Sequence, residues 1–310
     1  MAFTAVSNYS GKAAGFYISG ALQSVVSLDY LTMIENIKLQ SNIQRMDLNA
    51  DAAGNGPVTA ASCDFTTAGD LDLTEKVLTP ANLQVNLQLC KATLLDSWEA
   101  LQMRAGAGAP PPASFDDYVI SYIGEIIADA TEASIWGGQD VTAGEFTGFV
   151  QGATGHLVLD ATVVDVVNQG GAGVAYDAAN IIANLDACVA AIPTAVYTKE
   201  DLHIYMSPKT YRIYLGVQAA AGYQQLYNMG DAFVPMFNGI KLAVCTGMNN
   251  DVLVAAEKSN LFFGTDLVSD AANINLLDLS QLDGSSNMRL ICRYSGGTQV
   301  GIGADVVLVS

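Results

Sequence analysis

Charge is scarce in this chain, and what there is leans one way. Charged side chains make up 14% of the 310 residues, with 31 Asp and Glu against 13 Lys and Arg and a net charge of -18. An ordinary soluble domain carries about 25%, because a monomer of this size covers its surface with Lys, Arg, Glu and Asp. Hydrophobic residues reach 51%, so the chain has the means to build a large core and is not disordered. An outside so poor in charge predicts that much of the subunit faces other protein. The acidic sign argues against sequence-specific nucleic-acid binding through a basic face and against adhesion to an anionic membrane.

Targeting and redox signals are weak. Residues 1–9 hold no basic stretch, and residues 13–28 are interrupted by Ser19, Gly20, Gln23 and Ser24, so neither a secretory leader nor a spanning helix is read here. Cys63, Cys90, Cys188, Cys245 and Cys292 are odd in number and widely spaced. They read as buried thiols in a reducing compartment rather than as a metal or disulfide framework. Asn8, Tyr9 and Ser10 match a glycosylation sequon, which means little without a leader.

Several elements can be placed by pattern. Leu28, Leu31, Ile34 and Ile37 recur every three residues and predict a helical stretch. Asp51, Gly54, Asn55, Gly56 and Pro57 form a turn cluster, with extended stretches expected over 41–49 and 59–73. That excursion has little core of its own, and an isolated hairpin is marginal in water. Leu83, Val85, Leu87 and Leu89 alternate with Gln84, Asn86 and Gln88, predicting a half-buried strand. A short helix is expected over 94–103 around Trp98, and Pro110, Pro111 and Pro112 forbid a helix between 106 and 112.

A long helix is predicted over 114–137. Ser114 is placed to cap it and Asp117 resembles the partner of a capping box. Phe115, Tyr118, Val119, Tyr122, Ile123, Ile126, Ile127, Ala130 and Ala133 are expected on one apolar face, with Asp116, Ser121, Glu125, Asp129 and Glu132 mostly on the other. Gly137 and Gly138 end it. Beyond it, helices are expected over 176–191 and 208–215, an extended segment over 146–150, and strands over 202–206, 241–245, 252–255, 261–264, 287–294 and 298–309. Ser295, Gly296 and Gly297 read as the turn between the last two strands.

Catalytic signals are poor. No phosphate-binding loop, dinucleotide fingerprint, zinc-protease helix or nucleophile elbow is present. His156 and His203 are the only histidines, and no nucleophile with an orienting acid is evident for either. Glu125, Asp129 and Glu132 share helical spacing but lack the Glu-x-x-His partner of a carboxylate-bridged metal site, so a solvated face is expected. Asp70 with Asp72, and Asp266 with Asp270, lack the liganding loop of a calcium site. No catalytic, cofactor-binding or metal-binding residue is therefore assigned, and no enzyme is read.

The order of these pieces resembles the major capsid proteins of tailed bacteriophages, the Hong Kong 97-type fold. Residues 1–80 resemble that family's N-terminal arm and extended E-loop. Lys76 to Pro80, the strand up to Leu89, and Leu94 to Trp98 resemble the return of the E-loop and the start of the peripheral domain. Residues 114–138, with Trp136, Gly137 and Gly138, resemble the long spine helix, and Phe146, Gly148 and Val150 the short segment after it. His203 to Tyr211, Phe237 to Met248, Asn260 to Leu267 and Arg289 to Val309 resemble the axial-domain strands and the closing strands. The resemblance covers nearly the whole chain in order, although each piece is only glycines and aliphatics.

The resemblance implies an α+β fold with an N-terminal arm over 1–44, an E-loop over 45–80, a peripheral domain beginning at 81–145 with its spine helix at 114–137, an axial domain over 146–250, and peripheral return strands over 251–310. It implies a structural shell subunit that joins itself in pentamers and hexamers around a phage genome, in a virion assembled in the host cytoplasm. No cofactor and no membrane are implied, and packaged DNA would be met only non-specifically. A separate scaffolding protein, a portal and a decoration protein are the implied partners, since no long helical extension that would serve as a fused scaffold is read. Lys76 lies near the E-loop, but no crosslinking Asn or catalytic acid can be matched to it. An encapsulin-type compartment and a monomeric enzyme or ligand-binding module are the alternatives. Repulsion between subunits at -18 opposes closure, so assembly is expected to be contact-driven and promoted by salt.

Overall fold

The computed structural model describes residues 8–9, 25–37, 39–49, 63, 70–90, 115–142, 144–171, 173–222, 235–266, 274–279, 285 and 287–310. The turn cluster at 51–57, the helix expected over 94–103 and the proline loop at 106–112 lie outside them.

Two six-stranded sheets and one two-stranded sheet organise the described residues. The first sheet is built on one long strand. It contains β1 (Asn8–Tyr9), β2 (Thr32–Ile34), β5 (Ala81–Cys90), β11 (Leu261–Gly264), β12 (Ile274–Asp278) and β13 (Asn287–Val300). β13 pairs antiparallel with β5 from Asn287 opposite Cys90 to Gly296 opposite Ala81, and its end pairs with β11. The second sheet has the order β6 (Val164–Val166), β14 (Val307–Val309), β10 (Leu253–Glu257), β7 (Leu202–Met206), β9 (Ile240–Val244) and β8 (Met236–Phe237). The remaining pair, β3 (Ser41–Asn49) and β4 (Asp70–Leu78), forms a separate antiparallel hairpin.

The second sheet is covered on both faces, which explains why every residue of β7, β10 and β14 is buried. On one face Ile204, Leu242, Ala255 and Val307 pack with Ile181, Leu185 and Cys188 of α3 (Ile181–Ala191) and Tyr214 of α5 (Pro208–Ala220). On the other, Tyr205, Ala243, Val254 and Leu308 join a larger core with Leu83, Leu290, Cys292 and Val300 of the first sheet. The helix α1 (Phe115–Gly137) ends in this larger core. Its Trp136 is fully buried, with ring centroids 5.5 Å from Phe149 and 5.4 Å from Tyr205. Truncating a buried aromatic of this kind costs about 3–5 kcal/mol. The short helices α2 (His156–Leu159) and α4 (Thr194–Tyr197) complete the described elements.

Local chemistry explains the boundaries. Ser207 caps α5 by accepting the Thr210 N–H, with Pro208 in the first turn. Pro193 follows α3 and prevents its continuation. The last carbonyls of α1 are met by backbone donors: Gly138 N–H to Ser134, Phe149 N–H to Ile135 and Val150 N–H to Trp136. The segment expected to be extended over 146–150 is thus not a sheet strand but the cap of this helix. Gly138 is required by close approach to the Phe146 carbonyl, not by a left-handed conformation.

Four expectations need correction. Residues 28–37 are not one helix. A 3-10 turn over Val26–Tyr30 leads into β2, which pairs parallel with β11, because its backbone groups find partners there. The core face of α1 is rotated: Ile123, Ile127, Thr131, Glu132 and Ile135 are buried, while Tyr122, Ile126, Ala130 and Ala133 are exposed. The second hairpin strand, β4, runs on to Leu78 rather than ending at 73, while 59–62 and 64–69 lie outside the described residues. Ser295, Gly296 and Gly297 do not turn. They continue β13, and the glycines are there because a Cβ at Gly297 would lie 2.9 Å from the Thr79 carbonyl and one at Gly296 3.1 Å from the Phe146 ring. β10 and β14 both belong to the second sheet.

These contacts predict opposite signs at two glycines. Gly297→Val, meeting backbone at Thr79 and Pro80, should destabilise by about 1–3 kcal/mol. Gly216→Ala, in the open middle of α5, should stabilise by about 0.5–1 kcal/mol. Urea unfolding of the dispersed subunit reads both, and a neutral Gly297→Val would contradict the packing described.

Candidate assembly surfaces

The hairpin β3–β4 leaves large apolar side chains exposed. Its register sets Met46 opposite Leu73 and Asn42 opposite Val77, so Met46, Leu71, Leu73 and Val77 share one face. Met46 is 70% exposed, Leu71 60% and Leu73 59%. Nine-residue strands with this exposure bury too little apolar surface to offset the cost of ordering them. An apolar strand face left in water is also an invitation to pairing.

The root of the hairpin is fixed to the body. Leu78 is fully buried and occupies the space that a side chain at Gly264 would need. The Gln299 side-chain amide donates to the Val77 carbonyl at 2.8 Å. Lys76 pairs with Asp160 on the turn after α2. Burial alone would raise the Asp160 pKa, but hydrogen bonds from Lys76 and Thr162 outweigh it and hold the carboxyl below its ordinary value. A cleft of about 360 Å³ lies at this root, lined by Val77, Pro80, Asp140, Phe146, His156 and Thr298 among others.

A second anchor lies at the end of α1. Glu132, 5% exposed, accepts the Ser27 N–H at 3.0 Å, the Ser27 hydroxyl at 2.6 Å and the Gly247 N–H at 3.1 Å. Ser27 in turn accepts the Trp136 indole N–H at 2.7 Å. One carboxylate therefore ties the N-terminal segment, the long helix and the turn after β9 together. Gly247 must be glycine because a Cβ would run into the Glu132 backbone. Cys245 lies beside this group, with burial as the main cause pushing its thiol up to about 12. The sequence placed Glu132 in solvent; what it missed was a set of backbone and hydroxyl donors gathered from residues more than a hundred positions away.

The remaining candidates are not brought together. Glu125 and Asp129 are exposed and Glu132 is buried, so the three do not form one carboxylate face. His156 sits in the root cleft, its pKa lowered by burial and then by Lys76. His203 is buried in β7, with Nδ1 2.7 Å from the Asp201 carbonyl. Burial is again the main cause lowering its pKa. Cys188, Cys245 and Cys292 are buried as expected, but Cys63 and Cys90 are exposed. Asp70 and Asp72 lie in β4 and Asp266 follows β11, while Asp270 lies outside the described residues. Among the described residues no group of three His, Cys, Asp or Glu is placed to hold a metal ion, and no helix is long and apolar enough to cross a membrane.

Solved structures share this architecture. The chain is similar to the capsid of the empty GTA particle at 13% identity and TM-score 0.56, covering 92% of this chain and 89% of that one. It is similar to the satellite phage P4 procapsid that includes the size determination (Sid) protein at 10% identity and TM-score 0.57, covering 95% and 98%. The virus-like particle from Pyrococcus furiosus matches at 9% identity and TM-score 0.53, covering 95% and 96%. No protein-family model matches the sequence, and no curated protein matches it. The fold is therefore that of phage capsid proteins, as the resemblance implied.

The Glu132 anchor can be tested directly. Glu132→Ala would leave two backbone N–H groups and a hydroxyl without their acceptor, and should cost about 3 kcal/mol or more. Ser27→Ala should cost less, about 1–2 kcal/mol. Urea unfolding midpoints of the dispersed subunit check both, and an unchanged midpoint for Glu132→Ala would contradict the anchoring role.

Proposed function

We propose that this chain is a major capsid protein: a structural subunit that assembles with copies of itself into a closed icosahedral shell around a phage genome. The observation that carries the reading is the hairpin with Met46 and Leu73 exposed, projecting from a root pinned by Leu78, Gln299 and Lys76. Such a limb is complete only when a neighbouring copy covers it. The capsid fold and the charge-poor composition support the same reading, because repeated contacts of about 800 Å² per partner would cover an outside of this kind.

On this reading residues 1–44 are the arm and 45–80 the E-loop. The first sheet with α1 is the peripheral domain. The second sheet is the axial domain, drawing β10 and β14 from the last 60 residues. Copies meet as pentamers and hexamers. A scaffolding protein, a portal and a decoration protein are separate partners, packaged DNA is met non-specifically, and assembly takes place in the host cytoplasm. The chain acts by association and has no assigned catalytic role. An encapsulin-type protein compartment is the second reading, less supported than the phage shell, with the likeness to the virus-like particle behind it. Nucleic acid inside purified particles decides between the two.

The test is Met46→Ser with Leu73→Ser, examined by electron microscopy and sedimentation. Wild-type subunits should form closed shells, more readily at physiological salt, where screening acts over about 8 Å, than at very low salt. The double variant should stay dispersed while its unfolding free energy moves by no more than about 0.5 kcal/mol. Shells from the variant as abundant as wild type, or wild-type assembly strongest at the lowest salt, would overturn the account of how copies join.

A further inference from the structure

We infer that the solvent face of α1 is a docking ridge for a basic amphipathic helix of another protein. Tyr122 and Ile126 are 55% and 41% exposed, and Ala130 and Ala133 continue the line, also exposed. Steps of four, four and three residues place them on one stripe. At 1.5 Å per residue the stripe runs about 16 Å, three turns of helix. The helix already buries the neighbouring stripe of Ile123, Ile127 and Ile135 in the core, so this ridge is apolar surface left over after the core is satisfied. Ala130 and Ala133 at one end leave room for a second helix at the short end of the usual 8–10 Å separation.

Charge decides the occupant. Glu125 and Asp129 flank the ridge, both exposed, and no Lys or Arg occurs anywhere in Phe115–Gly137. A second copy of this chain is a poor match, since it carries 31 acidic against 13 basic residues. Lys76, Lys199 and Lys209 are already engaged with Asp160, Glu257 and Asp251 of their own chain. Packaged DNA would be repelled by the same carboxylates. A helix with Leu or Ile along one stripe and Lys or Arg beside it satisfies both the ridge and its flanks. The inference rests on this helix face and not on the shell reading, although a separate scaffolding protein is one protein that could present such a helix.

The probe is a fluorescein-labelled synthetic peptide of 18 residues, a Leu-striped helix with Lys and Arg flanks, titrated with the dispersed full chain at physiological salt and read by anisotropy. Saturable binding is expected. Glu125→Lys with Asp129→Lys, and separately Tyr122→Ser with Ile126→Ser, should each weaken it by about tenfold or more. Glu35→Lys with Glu200→Lys, exposed acids elsewhere, should leave it within about twofold. Circular dichroism confirms that each variant is folded. Absence of saturable binding would overturn the inference, as would equal loss in the Glu35/Glu200 variant or no loss in the Tyr122/Ile126 variant. Competition by an 18-base-pair DNA duplex would assign the ridge to nucleic acid and overturn it too. So would sedimentation showing that the Tyr122/Ile126 variant abolishes self-association, which would assign it to a second copy. Shell formation by electron microscopy is scored separately, so failure here leaves the shell reading standing.

Discussion

A hairpin that is held at one end and exposed at the other sets the terms for the rest of this subunit. Leu78 is buried and Val77 is gripped through its carbonyl, whereas Met46, Leu71 and Leu73 stand in water. Two strands are marginal on their own in that state. On the proposed reading, neighbouring copies supply the surface that covers them. Seen this way, the shortage of charge is the same requirement expressed in composition: a surface that meets copies of itself cannot carry the dense Lys and Glu that keep monomers apart.

The limb can project because the body behind it is firmly tied. The second sheet is packed on both faces, and the end of the long helix is wedged between the two sheets through Trp136. Glu132 does with hydrogen bonds what apolar packing cannot do: it fixes three separate chain segments to one point in a defined orientation. A buried carboxylate met by neutral donors is stable only while all of them are present. The N-terminal segment, the helix end and the turn after β9 are therefore coupled. The Lys76–Asp160 pair has a parallel role at the hairpin root, joining the limb to the turn that follows α2.

Much of this was legible before any coordinates. The alternation of residues 83–89, the long helix before Gly137, the Ser207–Pro208 helix start and the strand at 202–206 all follow from local pattern. Illegible features share one cause, which is that distant residues decide them. α1 has two apolar stripes, and only the sheets it meets select Ile123 and Ile127 over Tyr122 and Ile126. Gly296 and Gly297 look like a turn until Phe146 and Pro80 are seen occupying the space a side chain would need. Glu132 looks solvated until Ser27 and Gly247 arrive.

Hydrogen exchange of the hairpin amides in the dispersed subunit and in the assembled particle tests the central claim most directly. The account predicts that amides of Ser41–Asn49 and Asp70–Leu78 distal to Lys76 exchange rapidly in the dispersed subunit, while those of β7 and β10 are protected. It predicts that the hairpin becomes protected only in the particle. Hairpin amides protected as strongly in the dispersed subunit as in the particle would show that the limb stands unaided, and would contradict it.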